Sequence, residues 1–396
     1  MRFIEENVKH KGVRVSVGLP IKKAVHRLAS EDGEYVSATM RSDSLYVLYQ
    51  PSADEGINFL REFKLNEFDG EEDDVQQIYA LKATTSYRSI FCADNRLYMT
   101  GQRPEILDLT TNEVLYSEYV ARANPEWSDF GLVFSHGGAV YRSVVWNDAS
   151  QGLDVVRDYQ VVGHLALDIA FGYPPTDQYF YGFGTARDVF RVYCLETQAM
   201  LLELDLAPYR IGEWPLKKHV DRAGNRLFVL AGNTVLLVDL GPNTRAATAV
   251  VVNQLNYVEE PVLQGLLASG HLTGNSYAYK ISAARDGFAI FNARSRSFMM
   301  YVAISETGDK MRPVWVEHTR REITAINTEG DLLFGIEDYR PKAWDKFNGD
   351  QVWQASAGTM ANAIQLGDHW VVFTHPSGDL QCFRWKKPYL SPHRPG

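Results

Sequence analysis

Ten histidines, three cysteines and one dense acidic run are the residues of this 396-residue chain best suited to chemistry, and their spacing limits what they can do. Glu67-Phe-Asp-Gly-Glu71-Glu72-Asp73-Asp74 concentrates carboxylates around a glycine. A calcium loop needs alternating oxygen ligands and a distant closing Glu, and this run has neither. It reads as a solvated loop between strands, and Glu71, Glu72, Asp73 and Asp74 are candidates for attracting a basic partner. No histidine pair forms HxH or HExxH. His369 and His375 would lie about 20 Å apart along an extended strand, too far to share a metal. Ser135-His136 are strand neighbours whose side chains point to opposite faces, so they make no nucleophile and base pair. Gly182-Phe-Gly184 lacks the third glycine and the following helix of a dinucleotide fingerprint, and no phosphate loop or GxSxG elbow occurs. No catalytic residue, cofactor site or metal ligand is therefore expected.

Two stretches have the composition of recognition surfaces, since Tyr, Phe, Trp and Arg supply large contact area or charge. One is the Pro-containing segment from Phe171 to Tyr181, with Phe171, Tyr173 and Tyr179 as candidates. The other runs from Lys310 to Arg321 and offers Arg312, Trp315, Arg320 and Arg321. It reads as a long connection between two repeats.

The elements that would carry these residues are β-strands. Aromatic residues make up 12% of the chain, a composition that suits pleated, half-buried surfaces. A net charge of −9 argues against a protein that reads nucleic-acid backbones, where a basic face is the usual footprint. No run of about 18 apolar residues is present for a membrane span. The N-terminal residues carry no apolar secretory core, so a cytoplasmic location is expected. Cys92, Cys194 and Cys382 stand far apart in apolar runs and read as reduced core thiols, in keeping with that location.

A repeat organises the strands. Asp331 to Ser356 reads as three strands, with Leu332–Ile336, Lys342–Lys346 and Gln351–Ala355 joined by tight turns, the second turn built on Asn348-Gly349. Eight such units can be laid out, their second strands starting near Leu45, Leu97, Val140, Tyr179, Leu227, Tyr277, Leu332 and Trp370. That spacing scatters around the roughly 40–50 residues of a four-stranded blade. Asp108, Cys194, Asn292 and Asp345 each end an apolar strand, read as the third, and a large apolar residue stands eight positions on in each case: Tyr116, Leu202, Met300 and Trp353. The expectation is an all-β, single closed β-propeller of four-stranded antiparallel blades, eight in number with seven as the alternative, because strands between Gly152 and Asp177 resist assignment. The final unit lacks its outer strand, and Val13–Val17 is expected to supply it and close the ring. Lys22–Ala29 reads as a short helical turn or irregular connection. Residues 1–12 form an extension, 13–387 the propeller and 388–396 an irregular, Pro-rich tail.

The segments Ile106–Ser117 and Ala343–Trp353 resemble repeats of the pyrroloquinoline-quinone-like propeller superfamily. In those repeats a strand ending in Leu-Asp, a turn with Gly and a strand ending in Val-Leu-Trp recur. The resemblance implies a propeller fold. It does not imply dehydrogenase activity, because the vicinal cysteine pair of the quinone enzymes has no counterpart here. The functional expectation is a non-enzymatic scaffold that binds another protein through its loop faces, as an adaptor, inhibitor or complex subunit. The alternative is an enzyme or small-ligand binder with its site at the central channel.

Overall fold

A computed structural model describes residues 8–10, 13–15, 26–28, 33–51, 58–65, 75–81, 87–93, 95–101, 105–117, 133–145, 151–158, 160–167, 169, 178–184, 188–211, 215–241, 247–272, 278–292, 297–319, 321–355, 361, 363–367, 370–374, 380–384 and 390–394. The chain is an all-β propeller of eight blades, mostly of four antiparallel strands. The seven-bladed alternative is thereby excluded. Contacts divide the chain into two units.

One unit comprises Ala29–Asp205 with Asn243–Ala247 and holds the first four blades. The first blade runs through Gly33–Arg41, Ser44–Pro51, Asn58–Lys64 and Val75–Leu81, and the second through Tyr87–Ala93, Arg96–Gly101, Glu105–Asp108 and Val114–Ser117. The third has Val133–His136, Ala139–Val145, Gln151–Arg157 and Gln160–Ala166, so its last two strands fill part of the stretch that the sequence left unassigned. The fourth shows three strands among the described residues: Tyr179–Phe183, Val189–Cys194 and Ala199–Asp205.

The other unit comprises Met1–Leu28, Leu206–Pro242 and Thr248–Gly396. Its fifth blade has Lys218–Ala223, Arg226–Ala231, Thr234–Leu240 and Ala249–Asn256, and its sixth Lys280–Ala284, Gly287–Phe291, Ser297–Ile304 and Met311–Thr319. The seventh has Ile323–Glu329, Leu332–Glu337, Arg340–Asp345 and Gln351–Gln354, the meander expected around Asn348-Gly349. The eighth has Ala363–Leu366, Trp370–Thr374 and Leu380–Arg384, and its fourth strand is His26–Leu28, with His26 opposite Cys382. An N-terminal strand does complete the last blade, but it is not the expected one. Val13–Val15 instead pairs with Val8–His10 in a separate hairpin.

Why these residues close into blades is clearest at the turn from third to fourth strand. Asp108 and Asp345 each accept hydrogen bonds from following backbone N–H groups, at 2.7 Å from Thr110 and 2.8 Å from Phe347. Asn112 and Gly349 then take the positive φ the turn requires. The eight-residue spacing acquires a geometric meaning, because Tyr116, Leu202 and Trp353 face Ile106, Val192 and Ala343 across the ladder. Met300 faces Ile290 in the same way, yet there the pair joins second and third strands. The sixth blade is therefore shifted by one strand from the sequence assignment, and its second strand begins at Gly287 rather than near Tyr277.

A second regularity holds neighbouring blades together. The first strand of a blade is a sheet edge with unpaired N–H groups, and buried donors of that kind need partners. In the first unit Ser37 and Thr39 accept from the amides of Ile90 and Cys92 in the next blade's first strand. In the second unit His219 and Asp221 accept from Ile281 and Ala283 with the same two-residue step, at 3.5 and 2.8 Å. Ser282 meets Thr328, and Asn327 donates to the Ile364 carbonyl, continuing the series.

Between these polar seams the blades pack through aromatic side chains. Trp344 on the seventh blade is buried with Phe291 and Tyr301 of the sixth, while Trp353 stacks on Phe373 and meets Phe383 edge-on in the eighth. Gly335 leaves room for Trp344, since a Cβ there would stand 2.6 Å from the indole. Trp353→Ala should cost about 3–5 kcal/mol in urea unfolding, because the ring is 2% exposed and its removal leaves a cavity between two blades. Asp221→Ala should cost about 1–3 kcal/mol in the same assay, as the Ala283 amide loses its acceptor.

Candidate functional site

Met311–Thr319 is the element on which the strongest expectation falls, and it is a strand rather than a long connection. Its alternation sorts its residues onto two faces. Val316 packs on an apolar cluster that includes Tyr257, Leu263 and Leu272, and the His318 ring lies edge-on to His271 at 6.0 Å. Those partners belong to an insertion between the fifth and sixth blades that the sequence reading did not find. It contains the helix Pro261–Ala268, capped by the Glu260 carboxylate accepting from the Val262 and Leu263 amides. The signal was present as an acidic cap followed by Pro at the first helical position, ahead of Leu263, Leu266 and Leu267 at helical spacing.

The opposite face, bearing Trp315 and Glu317, turns to the seventh blade. Trp315 donates its indole N–H to the Lys346 carbonyl at 2.8 Å and lies against Gly349. Its half-buried ring thus fastens the turn that the sequence reading identified independently. Glu317 sits two residues on. Its Oε2 is buried with no hydrogen-bond partner among the described residues. Burial, then the charge of Glu337, pushes its carboxyl up to about 7, with Lys342 opposing and Asp350 adding to the rise. Glu337 and Lys342 form an ion pair with each other, both side chains under 10% exposed.

A second polar cluster joins the same two blades. The Lys346 ammonium donates to one oxygen of Asp286 at 2.9 Å and to the Gly330 carbonyl at 2.6 Å, and it stands 2.7 Å from the other Asp286 oxygen as an ion pair. Tyr301 donates its hydroxyl to Asp286, and burial followed by that carboxylate raises its pKa strongly. Buried, ion-paired and hydrogen-bonded in this way, Lys346 serves as a clamp rather than a nucleophile.

The other expected residues do not gather into one surface. Tyr179 is 1% exposed and belongs to the core of the fourth blade, because it occupies an inward position of a strand and not the loop assigned to it. Arg312 lies near the 305–310 turn and Arg321 beyond the other end of Met311–Thr319, so the nine-residue strand separates two cations that were read as one patch. Phe171, Tyr173, Arg320, Glu71, Glu72, Asp73 and Asp74 lie outside the described residues. Ser135 accepts from Arg96 and meets Tyr98 in the second blade, whereas His136 approaches Glu196 at 3.8 Å in the fourth, the divergence that strand parity requires. Cys92, Cys194 and Cys382 are free, and burial pushes the Cys92 and Cys382 thiols up to about 12, far from a reactive thiolate. Among the described residues no three of His, Cys, Asp and Glu converge as metal ligands, and no helix is long and apolar enough to cross a membrane.

Gly349→Ala tests the Trp315 anchor. The position has a φ of +79° and a Cβ there would stand 2.8 Å from the indole. Unfolding free energy should fall by roughly 1–3 kcal/mol from strain and overpacking together, with a change in tryptophan fluorescence.

No family model matches the chain, and no curated relative matches it by sequence. Similarity to solved structures is extensive. The computationally designed Ika8 protein aligns at a TM-score of 0.58 and 12% identity, covering 92% of this chain and 100% of its own. Sqt1 of Saccharomyces cerevisiae aligns at 0.58 and 9% identity over 91% of this chain and 98% of its own. BamB of Moraxella catarrhalis aligns at 0.56 and 10% identity over 93% of this chain and 100% of its own. At these identities the likeness is one of fold, and it places this chain among the β-propellers.

Proposed function

We propose that this chain is a non-enzymatic propeller scaffold that binds another protein. The observation carrying this reading is where exposed apolar side chains fall. Of nine large hydrophobic residues exposed among those described, five lie on fourth strands, Leu115, Val161, Val162, Val250 and Val252, and a sixth, Met200, on the last strand described in the fourth blade. Scattered exposed hydrophobics are ordinary, but concentration on one class of strand is not. In the unit of the first four blades they mark three consecutive blades, and Val162 at 58% exposure is the most open of them. A fourth strand also carries the sheet's free edge, whose unpaired N–H and C=O groups suit the addition of an extended segment from a partner. Phe171, Tyr173, Arg312, Arg320, Arg321 and the acidic group Glu71 to Asp74 are proposed as further contacts for a partner, as is the open part of Trp315. A cytoplasmic location and the absence of a resident cofactor belong to the same proposal.

Affinity capture from native lysate tests it, using the wild type beside a Val161→Lys/Val162→Lys double variant. The variant should fold normally, since surface substitutions usually change stability by within about 0.5 kcal/mol. One protein in near-stoichiometric yield, lost from the variant, is expected. Retention of nothing by the wild type, or equal retention by the variant, would count against the reading.

A further inference from the structure

The pairing of Met311–Thr319 with the seventh blade contains an unresolved charge. Glu317, Glu337 and Asp350 bring three carboxyl groups to this seam, and Lys342 is the cation set against them. Lys342 is already paired with Glu337, and the Asp350 carboxylate accepts from the Asn348 side-chain amide in its own turn. Glu317, itself half-buried, is left with one sealed oxygen that finds no donor among the described residues. An ionised carboxylate in that position lacks the hydrogen bonds that would offset its desolvation, while a neutral carboxyl is tolerated there.

We propose that this seam is a proton-dependent latch, closed while the Glu317 carboxyl is protonated and loosened when it ionises. The groups facing Glu317 are Glu337 from the second strand of the seventh blade, Lys342 from its third, and Asp350 from the following turn. Two like charges against one opposite charge favour the protonated form. Trp315 holds the same strand through its bond to Lys346, so loosening is confined to the end of the strand beyond it. Loosening therefore lets residues 316–319 fray from their ladder with Ser297–Met300.

The sign of the effect follows from linkage. In the closed seam Glu317 titrates near 7, and once released it returns towards its usual 4.5. Opening sheds a proton, so it becomes easier as pH rises from about 4.5 to about 7 and levels off above that. Hydrogen exchange of the full chain reads this directly. After correction for intrinsic rates, amides of residues 316–319 should open on the order of tenfold or more often at pH 8 than at pH 5, because one pH unit between the two titrations is worth a factor of ten.

Glu317→Gln, neutral at both pH values and close in shape, should abolish that difference while leaving amides of the fifth blade unchanged. An equal pH response in the Gln variant, or none in the wild type, would overturn the proposal. Carbon NMR of the wild type with labelled glutamate is a second readout that needs no variant. A Glu317 carboxyl titrating near 7 is expected, and a midpoint between about 4 and 5 would overturn the latch.

Discussion

The joining of blades in this fold rests on finding partners for the amides of a first strand, as at the second and sixth blades. A sheet edge in the interior has donors that water cannot reach, and leaving one unpaired costs as much as losing a hydrogen bond outright. The chain answers with polar side chains two residues apart on the preceding first strand: Ser37 and Thr39 in one unit, His219 and Asp221 in the other. The step of two is the strand period, so both side chains point the same way and meet successive inward amides. Burial holds His219 down to about 4, which keeps the ring neutral and its Nδ1 free to accept at ordinary pH. Polar residues that interrupt an apolar strand are here the means by which blades join.

Much of this was legible in the chain, and where it was not there is a physical cause. Turns speak plainly because few residues satisfy them: Asp at the end of the third strand and Gly or Asn at positive φ identified the second and seventh blades. Apolar spacing alone was ambiguous. Asn292 and Met300 keep the same interval as Asp345 and Trp353, yet join different strands, because any antiparallel pair with a turn of that size produces it. His26–Leu28 was unreadable as a strand, since three residues are too few to show alternation and its partner lies at the far end of the sequence. Val13–Val15 alternates well and pairs locally instead.

The candidate site was legible by composition and not by arrangement. Trp315 was rightly singled out, but its role depends on Gly349, which stands in the next blade. Glu317 carried no signal at all, for a carboxylate on a strand is unremarkable until its neighbours are known. Of what the resemblance to quinoprotein-like repeats implied, the structure bears out the propeller fold. Trp344 and Trp353 face the sixth and eighth blades and fill the spaces between them.

The strand His26–Leu28 has a consequence in time. It is made long before Leu380–Arg384, against which it pairs. Loop-closure entropy rises only slowly with length, so the delay is tolerable in equilibrium terms. In kinetic terms the last blade must wait with an open edge until two distant parts of one chain meet, and topologies dominated by such pairings fold slowly. During that interval the open edge of Leu380–Arg384 is available to any extended segment nearby. The same edge, once occupied, couples the opening of the eighth blade to the release of His26–Leu28.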